Sequence, residues 1–279
     1  MLARMFILCI ALAWSFAQSS TPLAAASAAE TSHAVLYTAR DYEFAGPENI
    51  AAGWTTVTLL NQGDDLHQVQ FLKLPAGKTA ADFRDEMAAD PTRLPRWVSR
   101  RSGPNSVVPG ERALAIVHLE PGEYVLFCGI PDRQGIPHVA HGMLKPLHVA
   151  AAPPRPAGMP PADQAITLAD FSFELSQPVQ AGARTIRVVN KGGQAHEVVL
   201  VKLAPRASVA DFLDAFRPGV ALSRAGQPIG GLAGLDPGGE GLFRADFTPG
   251  RYGLICFLPD LVMRAPHFTR GMLLDFDVR

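Results

Sequence analysis

Cysteine is scarce in this chain. Three occur among 279 residues, at Cys9, Cys128 and Cys256, too few and too regularly placed for the cross-linked scaffolds of small exported domains. An excess of one charge is missing too: 25 Lys and Arg stand against 26 Asp and Glu, a formal net charge of −1. That balance speaks against nucleic acid or an anionic membrane as partner. The short basic run RWVSRR (Arg96 to Arg101) reads as a solvated loop face. No stretch reaches the ~18 uninterrupted apolar residues of a spanning helix, so stable membrane insertion is not expected. The glycine-rich GGLAGLDPGGEG (Gly230 to Gly241) is followed by no helical pattern, which excludes a phosphate cradle and leaves a loop.

The first residues read as an export signal: Arg4, the apolar MFILCIALAWSFA (Met5 to Ala17), then Ala26-Ser27-Ala28 as a small-residue cleavage site. Leu8 stands before Cys9 where a lipid-attachment signal needs a small residue, so Cys9 is part of the signal alone. Residues 1–29 are assigned to the signal peptide, and the mature protein is expected in a periplasm or outside the cell. It keeps two cysteines, Cys128 and Cys256, read as free thiols, because a disulfide would need the two to meet across an interface.

What the chain has in quantity is itself, twice. DYEF at Asp41 answers DFSF at Asp170, LHQVQFLKLPAG at Leu66 answers AHEVVLVKLAPR at Ala195, and PGEYVLFC at Pro121 answers PGRYGLIC at Pro249. The offset is 129 for the first two pairs and 128 for the last. Between the copies lies AAAPPRPAGMPPADQA, whose prolines favour a stiff, extended linker. The expected organisation is a domain at 35–150, a Pro/Ala-rich linker at 151–164 and a second domain at 165–279.

Each copy reads as β structure. WTTVTLLN, LHQVQFLKL, RALAIVHL and EYVLFC are short, β-branched or aromatic runs bounded by Gly and Pro turns, and the second copy offers RTIRVVN, HEVVLVKL, GLFRADF and RYGLICF. Only KTAADFRDEMAAD and ASVADFLDAF look helical. The fold class is therefore all-β: two tandem Greek-key sandwiches, each with one short inserted helix.

The chemistry gathers in two loops, FCGIPDRQGIPHVAHGM (Phe127 to Met143) and ICFLPDLVMRAPHFTRGM (Ile255 to Met272). Two imidazoles and a thiolate in a trigonal plane, with a weak axial thioether, make a type 1 copper site. The chain supplies those residue types in one order twice: His67, Cys128, His138, Met143, then His196, Cys256, His267, Met272. Each first histidine opens a strand after a turn; the other three lie in the loop after the strand ending in Cys. Alone, each residue would read as surface or core. With only 8 His, 7 Met and 3 Cys in the chain, the doubled set favours a metal. His138 and His141 both stand within reach of Cys128. Aligned on Gly-Met, His138 falls on His267 and His141 on Arg270, whose guanidinium cannot coordinate, so His138 is the expected ligand.

This arrangement resembles the cupredoxin (blue, type 1 copper) family in a tandem, two-domain form. The long loop is similar to that of the first domain of copper nitrite reductases. The resemblance implies a Greek-key fold in both copies and a copper ion held by each set of four. Two departures matter. Many cupredoxins follow the first His with a bracing Asn, where this chain has Gln68 and Glu197. Nitrite reductases and multicopper oxidases put a His beside the Cys to wire the blue site to a catalytic one; here the neighbours are Phe127, Gly129, Ile255 and Phe257.

The expected function is an exported copper-binding protein with up to two type 1-like sites, acting in electron transfer or copper handling, a carrier rather than an enzyme. Its partner would be a transient redox protein or a copper donor or acceptor. The apolar neighbours of the second histidines (Pro137, Val139, Pro266 and Phe268) would form the docking surface if the imidazole edges are exposed. The rivals are a metal-free cupredoxin-like interaction module and a copper oxidoreductase of the nitrite reductase or two-domain oxidase type. The last needs ligand histidines that this chain lacks unless another subunit supplies them.

Overall fold

Alternation builds the strands. In GWTTVTLLN (Gly53–Asn61) Val57 and Leu59 are buried while Thr56, Thr58 and Leu60 between them are only half-buried, the period of two that a sheet with one core face requires. The computed structural model describes residues 33–153, 158–215 and 224–279. The signal-peptide reading of 1–29, Cys9 and residues 154–157 of the linker lie outside the described residues.

The first copy contributes β1 (His33–Arg40), β2 (Glu43–Ala45), β3 (Asn49–Ala51), β4 (Gly53–Asn61), β5 (Gln70–Lys73), β6 (Ser99–Arg100), β7 (Arg112–Leu119), β8 (Gly122–Phe127) and β9 (Leu144–Ala150). The second contributes β10 (Gln164–Ala169), β11 (Ser172–Leu175), β12 (Gly182–Asn190), β13 (His196–Leu203), β14 (Gly226–Leu235), β15 (Glu240–Phe247), β16 (Gly250–Ile255) and β17 (Leu273–Val278). Helices α1 (Ala80–Ala89) and α2 (Val209–Asp214) fall in the two expected segments. Both open on a capping box, Thr79 with Asp82 and Ser208 with Asp211, which satisfies the first free amides reciprocally. They bury Phe83 and Met87, and Val209 and Phe212, against their own copies.

Each copy packs two sheets around an apolar core. In both, the first strand runs parallel to the nine-residue strand that ends in Asn (β1 on β4, β10 on β12), and the strand leading to the cysteine pairs with the chain's return (β8 on β9, β16 on β17). The second sheets stay separate, ordered β3-β9-β8-β5-β6 and β14-β13-β16-β17. The first sheets do not: β7 pairs with β15 through Ile116, Ala115 and Leu114, giving one eight-stranded sheet, β11-β10-β12-β15-β7-β4-β1-β2. The described residues form one compact unit.

The seam corrects two readings of the sequence. The stretch read as a glycine loop is the end of β14 and the start of β15, with Leu232, Ala233 and Leu235 buried. Strands disfavour glycine, but here there is no room for a side chain: a Cβ on Gly231 would crowd the Val198 carbonyl, and one on Gly234 would lie 2.7 Å from the Gln70 side chain's Oε1. The basic run is solvated only at its start, where Arg96 is exposed. Ser99 and Arg100 form β6, Arg100 pairs with Asp236 across the seam, and Arg101 reaches Glu120. Residues 101–107 bridge onto β14, with Arg101 opposite Leu235, Pro104 opposite Leu232 and Val107 opposite Ile229. Buried polar side chains stitch this joint. Gln70 Nε2 donates to Gly234 O, Ser102 Oγ to Ala233 O, and Asn105 Nδ2 to Val198 O and Leu232 O.

Candidate metal centres

At one end of each sandwich the strand that runs into the cysteine lies beside the strand that starts at or shortly after the first histidine, β16 beside β13 and β8 beside β5. This antiparallel pairing brings residues some 60 apart in sequence to one place. His67, Cys128 and His138 offer three donor atoms within 4.8 Å of one another, as do His196, Cys256 and His267, and all six residues are buried. In the first set His138 Nδ1 lies 3.5 Å from Cys128 Sγ and 3.2 Å from His67 Nδ1. In the second, His267 Nδ1 lies 3.3 Å from Cys256 Sγ and 3.0 Å from His196 Nδ1. His141 is outside the group; its Nε2 meets Asp132 Oδ2 at 2.8 Å. Both cysteines are free thiols.

The loops that carry the other donors repeat bond for bond. Each cysteine N–H donates to the carbonyl of Met143 or Met272, each of those methionine N–H groups donates to the second histidine's carbonyl, and both methionines are fully buried. Gly142 and Gly271 take φ near +97° and +100°, a left-handed turn that costs glycine little. The extra residue of the second loop is absorbed before Pro266, where Arg264 adopts φ of 60°.

The donor chemistry fits a cation. His67 Nε2–H donates to Asp41 Oδ1 at 2.5 Å, and His196 Nε2–H to Asp170 Oδ1 at 2.6 Å. A carboxylate only accepts, so each Nδ1 keeps its lone pair toward the centre. His267 Nε2–H likewise donates to Gln194 Oε1 at 3.1 Å. In the second site two imidazole lone pairs therefore face each other at 3.0 Å beside the sulfur, with at most one thiol hydrogen to share between them, an environment that favours a cation. Burial holds His138 and His267 down to about 4, each helped by the neighbouring imidazole, and lowers His67 and His196 despite their aspartates. All four imidazoles are neutral at ordinary pH. Burial pushes the Cys128 thiol up to about 12 and raises Cys256 as well. Amide hydrogens from Gln68 and Ile130, and from Glu197 and Leu258, oppose this, and a coordinated metal deprotonates such a thiol outright. Two nitrogens and one sulfur suit a thiophilic or borderline ion, copper among them.

Sequence reading overlooked the support around these donors. Asp41 and Asp170 head the DYEF and DFSF repeat, and the next residue covers the second histidine: Tyr42 lies 4.8 Å from the His138 ring, and Phe171 lies 5.1 Å from the His267 ring. His141 stacks on Tyr42 and Arg270 sits over Phe171, each anchored to the aspartate four residues after its cysteine, Asp132 or Asp260. Cys-x-x-Pro-Asp in both loops is the sequence signal for that anchor. His138 and His267 are consequently fully enclosed, not edge-exposed. Bracing comes from Asn61 and Asn190, the last residues of β4 and β12. Asn61 Nδ2 donates to Asp65 O and Val107 O, and Asn190 Nδ2 to Gln194 O and Leu235 O. Glu197, fully buried, accepts from Phe257 N–H and from Asn105 Nδ2; burial raises its carboxyl to about 7.

No family model matches the sequence, and no curated protein matches it. Solved structures of similar fold include a multicopper oxidase, 12% identical over 88% of this chain and 88% of that one, TM-score 0.25. A reduced auracyanin from Roseiflexus castenholzii is 20% identical over 45% of this chain and 99% of that one, TM-score 0.28. A copper nitrite reductase from Nitrosomonas europaea is 15% identical over 89% of this chain and 94% of that one, TM-score 0.25. The architecture is all-β, two sandwiches in tandem, each with one short α-helix among the described residues. No helix among the described residues is long and apolar enough to cross a membrane.

Proposed function

We propose that the protein holds copper at two type 1-like sites, His67, Cys128, His138 with Met143, and His196, Cys256, His267 with Met272, and carries single electrons. The observation that carries this reading is the convergence of imidazole nitrogens and a thiol at two buried sites built on one plan. Bound copper would supply a one-electron couple. The chain's residues hold the geometry: aspartates orient the first histidines, the Pro-His turns fix the second, and the aromatic lids exclude water. Such a rigid, dry site suits outer-sphere exchange rather than bond-making.

Carriage is favoured over oxidase chemistry because, among the described residues, His, Cys and carboxylate donors converge in threes only at these two places. A transient redox partner would meet the exposed apolar tip Leu261, Val262 and Met263 in the second loop, in an exported setting. The test is metal content with a visible spectrum of the purified mature protein. Two coppers per chain and an intense thiolate-to-copper band are expected. A colourless protein that loses all copper on desalting would favour the metal-free interaction module.

A further inference from the structure

The second histidines of the two centres differ in what meets the far side of the ring. His267 Nε2–H donates to Gln194 Oε1 at 3.1 Å, and Leu261 N–H donates to the same oxygen at 3.1 Å. Gln194 Nε2 donates to Asp260 Oδ2 at 3.4 Å. A backbone N–H only donates, so the bond from Leu261 fixes which end of the Gln194 amide faces His267. The hydrogen of that imidazole is therefore on Nε2, and Nδ1, 3.3 Å from Cys256 Sγ, is free to coordinate.

His138 lacks such a partner. Its Nδ1 lies 3.5 Å from Cys128 Sγ, but its Nε2 is enclosed by protein with no hydrogen-bond partner among the described residues. The residue that matches Gln194 at the repeat offset of 129 is Asp65. The two backbones are placed alike. The carbonyls of Asp65 and Gln194 accept from Asn61 Nδ2 and Asn190 Nδ2, and the preceding amides, Asp64 N–H and Gly193 N–H, donate to Asp41 and Asp170. The Asp65 side chain, one methylene shorter than glutamine, turns to Arg133 instead, with Oδ1 3.8 Å from Nε.

An imidazole that binds a metal through Nδ1 carries its hydrogen on Nε2. At the second centre that hydrogen already has its acceptor. At the first it would be buried without one, which opposes metal binding. Losing the outer acceptor of a metal-bound histidine typically costs about 10- to 100-fold in affinity.

We propose that Gln194 is a positioning residue for His267, and that its bond makes the second centre the tightly held copper and the first the exchangeable one. The proposal rests on the two-copper reading above and adds which site gives up its metal.

The experiment uses full-length protein in which Cys128→Ser leaves the second site and Cys256→Ser leaves the first. Each is loaded with Cu(II) and titrated with a calibrated chelator while the thiolate-to-copper band is followed. The second site should hold copper at least about tenfold more tightly than the first, and Gln194→Leu, combined with Cys128→Ser, should lose about that factor. In the first site, Asp65→Gln and Asp65→Leu, each combined with Cys256→Ser, remove the same charge, and only glutamine brings an acceptor. Asp65→Gln should bind more tightly than its parent and about tenfold more tightly than Asp65→Leu, a gain that damaged packing does not produce. A second site no tighter than the first, an unchanged affinity in Gln194→Leu, or an Asp65→Gln site no tighter than its parent overturns the proposal. If Gln194→Leu fails to fold, the Asp65 variants decide alone. Absence of a copper band in both single-site proteins overturns the two-copper reading instead, and is seen before any affinity is measured.

Discussion

The guanidinium of Arg270 lies 4.0 Å from the centre of the Phe171 ring, and that ring meets His267 nearly edge-on. His141 and Tyr42 repeat the stack over His138 with different chemistry, imidazole on phenol in place of guanidinium on phenyl. Each lid is pinned by an aspartate of its own loop. The lid keeps water from the second histidine and leaves the ligand itself unchanged.

Opening a lid should therefore speed metal loss without abolishing the site. Phe171→Ala is expected to raise the rate of copper release to a chelator about tenfold at the second site alone, as read by the decay of its band in Cys128→Ser protein. His141→Ala should keep most of the first site's colour, whereas His138→Ala should remove it. The reverse result would show that the loops are not built alike.

The aspartate braces act on affinity. Asp41→Ala and Asp170→Ala free the first histidines to rotate and change tautomer, and losing such an outer partner typically costs about 10- to 100-fold in metal affinity. Competition titration with a calibrated chelator should show that loss at the site whose brace is missing and not at the other.

Acid should destabilise the metal-free protein well before its carboxylates titrate. His67, His138, His196 and His267 are all held below 6.5, with His138 and His267 down to about 4. Between those values the unfolded chain binds more protons than the folded one, so stability is full above pH 6.5 and falls as pH drops toward about 4. Glu197, raised to about 7, pulls the other way, with one proton against four. Denaturant titrations of apo-protein at pH 7 and pH 5 should show the lower stability at pH 5; a higher one would contradict the neutral, enclosed state of these imidazoles.

The seam is predicted to be intolerant of a methyl group. Gly231→Ala puts a Cβ 2.1 Å from Val198 O at φ of +109°, a strain of about 2 kcal/mol, hence roughly 4–8 °C in melting temperature for a unit of this size. Gly158→Ala, with nothing within 4 Å of the added atom, is the control and should melt like the parent.

Sequence alone determined the features that local pattern and copying set. Period-two runs such as WTTVTLLN marked strands, the two Ala-Asp-Phe segments marked helices, and the doubled order of His, Cys, His and Met named the candidate ligands, because duplication lets each copy check the other. His138 could be separated from His141 that way, since a protonated guanidinium stands where the second imidazole would be.

Tertiary structure decided whatever depends on residues distant in sequence. The strand at Gly226–Leu235 is built on glycines that local propensity assigns to a loop, and becomes a strand because residues 101–107 and Val198 leave no room for a side chain. Arg100 looks solvated until Asp236, 136 residues away, is brought beside it. Asp41, Tyr42 and Asn105 are ordinary residues in sequence. They acquire roles only when strand pairing, β1 parallel to β4 and residues 101–107 antiparallel to β14, sets distant segments side by side, because burial and hydrogen-bond direction are properties of that meeting and not of any one segment.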